Sequence, residues 1–327
     1  MSRIKIGQIG TAHGHAEGKL AVYRRSPDYE VVGVVEPDAR LREAAARHPT
    51  YADLRWLTLD ELLSVPGLEA VAIETEVGGL LPAAEAAIAA GQHIHLDKPP
   101  GDDLPRFRRL LDQAAAKHLL VQLGYMYRYS PAILKLRQWL DESWLGEPFE
   151  VHAVMSKVVA PSQRRGLAAY SGGMMFELGC HLIDLVVGIL GRPERVTAYS
   201  QHAAPADDGL ADNMLAVLEY PRALASVKSS ALEVEGFARR HLVVCGTQGT
   251  CHIQPLDAPA IELALDRPRG EFSRGRHRIE LGDYPRYVGD AADMARIIRG
   301  EKDTDYSYEH DLTVQETVLL ASNPSIG

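Results

Sequence analysis

The first 125 residues alternate short β-favouring runs with helix-sized segments, and that rhythm restricts the fold more than any other feature of the chain. The runs are IKIGQI, EVVGVV, AVAIET, HIHL and LLVQL. Helical patterns separate them at 15–25, 38–47, 81–90 and 103–117, with a shorter one at 59–64 ahead of AVAIET. Strands this short, nearly continuous in apolar residues, are joined through helices by right-handed βαβ crossovers into a parallel sheet covered on both faces. The expectation is an α/β, doubly wound domain over residues 1–124.

Beyond residue 125 the rhythm changes. A helix near 131–143, the turn LGEP and a strand near 149–159 lead into the apolar segment GGMMFELGCHLIDL. RVTAYS, NMLAVLEY, ALASVKSSAL, RHLVVCG, TCHIQP and AIELAL then follow in close succession. Strands separated by turn residues rather than helices pair mostly antiparallel, so 125–327 is expected to form an α+β domain with a large open sheet. Two helices near 285–299 and 309–321 close the chain. With 327 residues, 46% of them hydrophobic, there is enough apolar surface for two cores.

A formal charge of -9 disfavours a general nucleic-acid partner, whose affinity comes from lysines and arginines neutralising phosphates. Cys180, Cys245 and Cys251 form no CxxC pair and no disulfide framework, which fits a reducing compartment. The N-terminal residues lack an apolar signal region and no run reaches membrane-span length, so a cytoplasmic protein with no membrane partner is expected.

After the first strand comes Gly10-Thr11-Ala12-His13-Gly14-His15, a degenerate GxGxxG. The small Gly10 and Ala12 permit a tight turn that brings backbone N–H groups and a helix N-terminus against a pyrophosphate. The second strand ends in Glu36, where an acid accepts from ribose hydroxyls and repels a 2′-phosphate, so NAD is expected over NADP. Glu74 and Thr75, which end AVAIET, and Gln122 in LLVQL complete this edge. HIHL runs into Asp97-Lys98-Pro99-Pro100-Gly101. Because proline cannot extend a central strand, the chain turns at the carboxyl edge of the sheet, which puts Lys98 beside the nicotinamide with Asp97 and Pro99 next to the cofactor.

Glu177, His181 and Asp184 interrupt the apolar segment at spacings of four and three. At about 100° per helical residue they share one stripe. Such a stripe can face a cation, but it offers no clear ligand from outside the helix, and no metal is expected. It can equally hold a proton acceptor: histidine titrates near neutrality, and Glu177 or Asp184 could fix its tautomer and steady the imidazolium. Tyr127 and Arg128 in GYMYRYSP, and Arg164 and Arg165 in the loop SQRRGLAAYSGG, are substrate-contact candidates because loops carry specificity.

GTAHGH, DKP and GGxxxExGxHxxD in this order resemble the family of glucose-fructose oxidoreductase, inositol dehydrogenase and MocA (Gfo/Idh/MocA), as do LGEP, GTQGT and the late IIRG. The resemblance implies a Rossmann domain for NAD(P), a second domain used for dimer or tetramer formation, and a sugar, polyol or related substrate. It also implies that Lys98 contacts substrate and nicotinamide, and that His181 is the acid/base. Asp97 replaces the family's glutamate in this motif, Glu177 stands where aspartate is common, and Glu76-Val77 replaces a frequent proline-asparagine. The leading expectation is an NAD-dependent dehydrogenase acting on a CH–OH carbon. The alternatives are a redox-assisted lyase or glycoside-cleaving enzyme without net redox change, and a non-catalytic NAD-binding regulator.

Overall fold

The structure is a computed structural model and describes residues 2–170, 172–282 and 284–323. The chain divides into two compact units, Met1–Met126 with Pro285–Tyr308, and Tyr127–Tyr284 with Glu309–Gly327. In the first unit β1 (Ile4–Ile9), α1 (Ala16–Arg25), β2 (Tyr29–Val35) and α2 (Ala39–Ala46) are followed by β3 (Trp56–Leu57), α3 (Leu59–Leu63) and β4 (Leu68–Ile73). Then come α4 (Val77–Ala89), β5 (His93–Leu96), α5 (Leu104–Ala116) and β6 (Val121–Leu123). The six strands are all parallel, in the order β3-β2-β1-β4-β5-β6. This is the doubly wound sheet expected. Strand order reverses between β1 and β4, so their carboxyl ends border the crevice where such sheets take ligands.

The second unit begins with α6 (Pro131–Asp141), β7 (Pro148–Val154) and α7 (Pro161–Ala168). A π-helical turn over Met175–Gly179 then leads directly into α8 (Cys180–Leu190). β8 (Arg195–Gln201), β9 (Asn213–Tyr220) and β10 (Ala223–Ser230) precede the short α9 (Gly236–Arg239). After it come β11 (His241–Gly246), β12 (Gly249–Ile253), β13 (Ala260–Leu265) and β14 (Gly275–Glu280). The sheet order is β14-β13-β12-β11-β7-β10-β9-β8; β7 and β10 pair parallel and the other neighbours antiparallel. One face of the sheet buries Met214, Ala216, Leu218, Ala225 and Val227, and α8 with its π-helical turn packs on β7 and β10. The chain closes with α10 (Val288–Ile298) and α11 (Tyr308–Ser322). No helix among the described residues is long and apolar enough to cross a membrane.

Several local expectations change. SQRRGLAAYSGG has the composition of a loop, but Pro161 just before it occupies the first turn of α7, which runs on through Ala168. α4 starts at Val77 rather than 81, its first turn disguised by Gly78, Gly79 and Pro82. GRHRIE, too charged to look like a strand, forms the exposed edge strand β14, where charge blocks further pairing.

The largest correction concerns the segment after 284, which the sequence reading assigned wholly to the second domain. Pro285–Tyr308 belongs instead to the first unit. The reason is burial: Ala291, Met294 and Ala295 of α10 pack with Ile4, Ile6, Tyr23 and Tyr29. The Tyr29 hydroxyl donates to the Ala291 carbonyl at 2.7 Å, and Arg299 pairs with Asp28 at 2.7 Å. Met294→Ala is therefore expected to destabilise the nucleotide-binding unit by about 2–5 kcal/mol. Urea unfolding followed by a probe in that unit measures it, and an unchanged midpoint would remove α10 from that core.

Candidate active site

At the crevice of the first unit the chain leaves β1 through Gly10, whose φ is +89°. A Cβ there would stand 2.6 Å from the Thr75 backbone nitrogen, so only glycine allows this approach. Thr11 donates to Glu36 Oε2 from its backbone N–H at 2.8 Å and its hydroxyl at 2.7 Å, and the Asp38 N–H donates to Glu36 Oε1 at 3.0 Å. Glu36 thereby fixes the turn, while Asp38 caps α2 by accepting from the Arg40 and Leu41 N–H groups. Beside them opens a cleft of about 710 Å³, lined among others by Glu36, Arg42, Trp56, Thr75 and Pro82. The Arg42 guanidinium stands over the Trp56 ring at 5.4 Å. The cleft, the unobstructed Gly10 turn and the acid at the end of β2 fit the adenosine half and pyrophosphate of a dinucleotide. Ala12 and the exposed Gly14 lie on the same turn.

Under that turn lies a group of charges. Asp97, fully buried at the end of β5, accepts the Lys98 backbone N–H at 2.6 Å. Its Oδ2 stands 2.6 Å from His13 Nδ1, 3.2 Å from His15 Nδ1 and 3.2 Å from the Lys19 ammonium. Lys19 also reaches Glu74 Oε1 at 2.8 Å. Burial alone would raise the Asp97 pKa, but Lys19 and the two histidines outweigh it and hold the carboxyl well below its usual range. Burial and then the charge of Asp97 push Glu74 well above its own range. Burial opposes the Lys19 charge, yet Asp97 and Glu74 together raise its pKa. Burial lowers His15 to about 4, only partly offset by Asp97, so its imidazole is neutral at pH 7. His13, His15 and Asp97 bring their ligand atoms within 4.8 Å of one another, a grouping suited to a metal. The Lys19 ammonium already supplies the cation beside Asp97. Lys98 itself is 1% exposed, and its peptide bond to Pro99 is cis.

In the second unit the chain reaches its other candidate through Gly172 and Gly173, at φ +92° and +47°. A Cβ on Gly173 would stand 2.4 Å from the Ala211 carbonyl oxygen. The π-helical turn then carries Glu177, half-buried, and α8 carries His181, 3% exposed. The Tyr127 ring meets the His181 ring edge to face at 5.3 Å, and its hydroxyl donates to Asp257 at 2.8 Å.

Two family models cover most of the chain. Residues 4–125 match an oxidoreductase family with an NAD-binding Rossmann fold, and residues 133–252 match the GFO/IDH/MocA C-terminal domain. The chain belongs to the Gfo/Idh/MocA oxidoreductase family. It is similar to trans-1,2-dihydrobenzene-1,2-diol dehydrogenase of Sus scrofa, with 25% identity over 75% of this chain and 72% of that one. It is also similar to inositol 2-dehydrogenase 4 of Saccharopolyspora erythraea, with 26% identity over 66% and 63% of the two chains. Among solved structures, GenD2 from gentamicin A biosynthesis, in complex with NAD, shares the fold. Its TM-score is 0.80 at 21% identity, over 98% of this chain and 93% of that one.

As a Gfo/Idh/MocA member the chain is an NAD(P)-dependent oxidoreductase, and the fold reassigns several residues expected in its site. Asp184 does not serve His181: its carboxylate accepts from Arg128 Nε at 3.0 Å and a terminal guanidinium nitrogen at 2.6 Å. Arg128 also donates to Asp311 at 2.7 Å, so both carboxylates hold it inside the unit. The turn at Met175–Gly179 is π-helical, with more residues per turn than the 3.6 assumed, so the 100° count does not describe the step from Glu177 to His181. Arg164 spends its guanidinium on Asp208 and on Asp212, the latter at 2.7 Å, while Arg165 is exposed. The Glu74 side chain is committed to Lys19; its backbone carbonyl accepts the His13 N–H at 3.1 Å. Gln122 donates to the Asp290 carbonyl at 3.0 Å. Lys19 was overlooked because a lysine on an amphipathic helix looks solvated, and Asp311 because it lies far along the chain.

Lys19→Met strands the Asp97 charge and is expected to cost about 3–5 kcal/mol of unfolding free energy, read by denaturant titration; a cost below about 1 kcal/mol would contradict the buried pair. Burial would raise the Asp212 pKa, but the Ala203 N–H, Arg164 and the Ala204 N–H outweigh it and lower it. Its contribution is thus complete above the unfolded pKa of about 3.9 and is lost as pH falls through the lower folded value. Melting temperature should drop between about pH 5 and 2, and Asp212→Asn should flatten that drop; an equally steep acid limb in the variant contradicts it.

Proposed function

We propose that the chain is an NAD-dependent dehydrogenase oxidising a secondary alcohol of a sugar, polyol or sugar derivative. The observation that carries this reading is a pair of proton-handling side chains, Lys98 and His181, both withdrawn from solvent within a family of NAD(P)-dependent oxidoreductases. Bound NAD supplies the hydride acceptor. An imidazole nitrogen of His181 takes the hydroxyl proton, and the Lys98 ammonium donates to the oxygen as alkoxide character develops. Glu177, one turn before His181, is the remaining carboxylate of the segment that can steady the imidazolium. Asp97 does not touch substrate; it holds His13, His15 and the start of the Lys98 turn in register.

Glu36 in the cleft favours NAD, because its carboxylate repels a 2′-phosphate. The names of two relatives, an inositol dehydrogenase and a dihydrobenzene-diol dehydrogenase, support a hydroxyl-bearing ring as substrate. Homo-oligomer formation through the outer face of the eight-stranded sheet is supported by Tyr199 and Leu224, each 56% exposed, which strand register sets on one face with Leu215. Cytoplasmic residence is supported by the spacing of Cys180, Cys245 and Cys251, which form no CxxC pair and are too few for a disulfide framework.

A panel of sugars, sugar acids and cyclitols with NAD+ or NADP+, followed by nicotinamide absorbance, tests the reading. NADH should accumulate with at least one substrate, and Lys98→Met and His181→Ala should each lower kcat by about 10²–10⁴ while NAD still binds. Product released without net NADH would establish redox-neutral cleavage instead. Ligand binding without turnover would make the chain a regulator.

A further inference from the structure

We propose that Arg128, Asp184 and Asp311 form a positioning cluster that fixes the helix carrying His181 to the two segments by which the chain enters its second unit. The chain passes between units at Met126/Tyr127 and at Tyr308/Glu309. Arg128 lies just after the first passage, and His310 and Asp311 just after the second. Both groups converge on Asp184, one helical turn beyond His181 on α8.

Arg128 meets Asp184 side-on, through Nε at 3.0 and 3.1 Å and through a terminal nitrogen at 2.6 Å. The same terminal nitrogen reaches Asp311 at 2.7 Å. His310 Nε2 stands 3.5 Å from Asp184 Oδ1. The side chains of Arg128, Asp184 and Asp311 are 3%, 1% and 2% exposed. A planar guanidinium holds two carboxylates with donors of fixed direction, side-on to one of them; an ammonium supplies the charge without that side-on fork.

The cluster acts on His181 by two routes. Asp184 fixes the turn of α8 on which His181 stands. Tyr127, the chain neighbour of Arg128, lays its ring edge-on to the imidazole, and its hydroxyl is anchored on Asp257, which also accepts from Arg240 at 3.0 Å. Adjacent residues 127 and 128 thus set the imidazole ring and the helix beneath it. None of the three cluster residues is assigned contact with substrate or cofactor. Their effect on turnover passes through His181 and rests on the reading of His181 as the base.

Arg128→Lys and Asp311→Asn test the proposal in the full-length protein. Both variants should lower kcat about tenfold or more, leave the NAD dissociation constant within about twofold, and shift the pH-rate limb governed by His181. His181 ring resonances, assigned by comparison with His181→Ala, should move in chemical shift and titrate at a different pH. Arg128→Lys should retain more activity than Arg128→Met. If Arg128→Lys does not fold, Asp311→Asn decides, because it leaves the Arg128–Asp184 pair intact. Folded variants with wild-type kcat and His181 titration overturn the proposal, as does a lowered melting temperature with both readouts unchanged. Where the wild-type protein oxidises nothing in the panel, the dehydrogenase reading fails, and the His181 titration still judges the cluster.

Discussion

One ammonium ion sealed beneath the first turn organises the nucleotide end of the molecule. Lys19 rises from α1 between Glu74 at the end of β4 and Asp97 at the end of β5, so helix and strands are locked at the edge of the sheet where the cofactor cleft opens. A buried charge is tolerable only when its partners are close and hydrogen-bonded. Meeting that condition fixes where Asp97 can be, and hence where His13, His15 and the Lys98 backbone can be. The degenerate GTAHGH turn follows from this. Positions where a dinucleotide turn often has glycine carry alanine and histidine, and the second histidine turns inward to the Asp97 carboxylate.

The second unit uses cations in the same way. Arg128 and Arg164 each bind two aspartates from distant stretches of chain, one gathering the segments around α8 and the other tying α7 to the loop before β9. Both arginines looked like substrate contacts. In the fold they hold up the frame around the candidate base. Removing Asp184 from the set of proton-handling groups leaves His181 with Tyr127 at its edge and Glu177 as the nearby acid on its own segment.

Much of the architecture was legible because periodicity reports burial directly. IKIGQI and HIHL became β1 and β5 residue for residue, and the alternating runs after residue 195 became the antiparallel strands. Glu36 and Thr75 border the cleft, with Gly10 close against Thr75, because strand ends in a doubly wound sheet have little freedom of position. What escaped was long-range pairing. Nothing local distinguishes Lys19 from a solvated lysine, or Asp311 from a helix-surface acid. The π-helical turn at Met175–Gly179 likewise defeats angle counting, since one added residue per turn rotates everything upstream of it.

The return of α10 to the first unit bears on how the protein is made. The core that includes Ile4, Ile6 and Tyr29 needs Ala291 and Met294, which leave the ribosome only after Tyr127–Tyr284 has been synthesised. At about 5–20 residues per second the nascent nucleotide-binding lobe waits roughly 10–30 s with that apolar flank uncovered. During synthesis the lobe that begins first is completed late, and the second lobe later still, because Glu309–Gly327 with Asp311 follows α10.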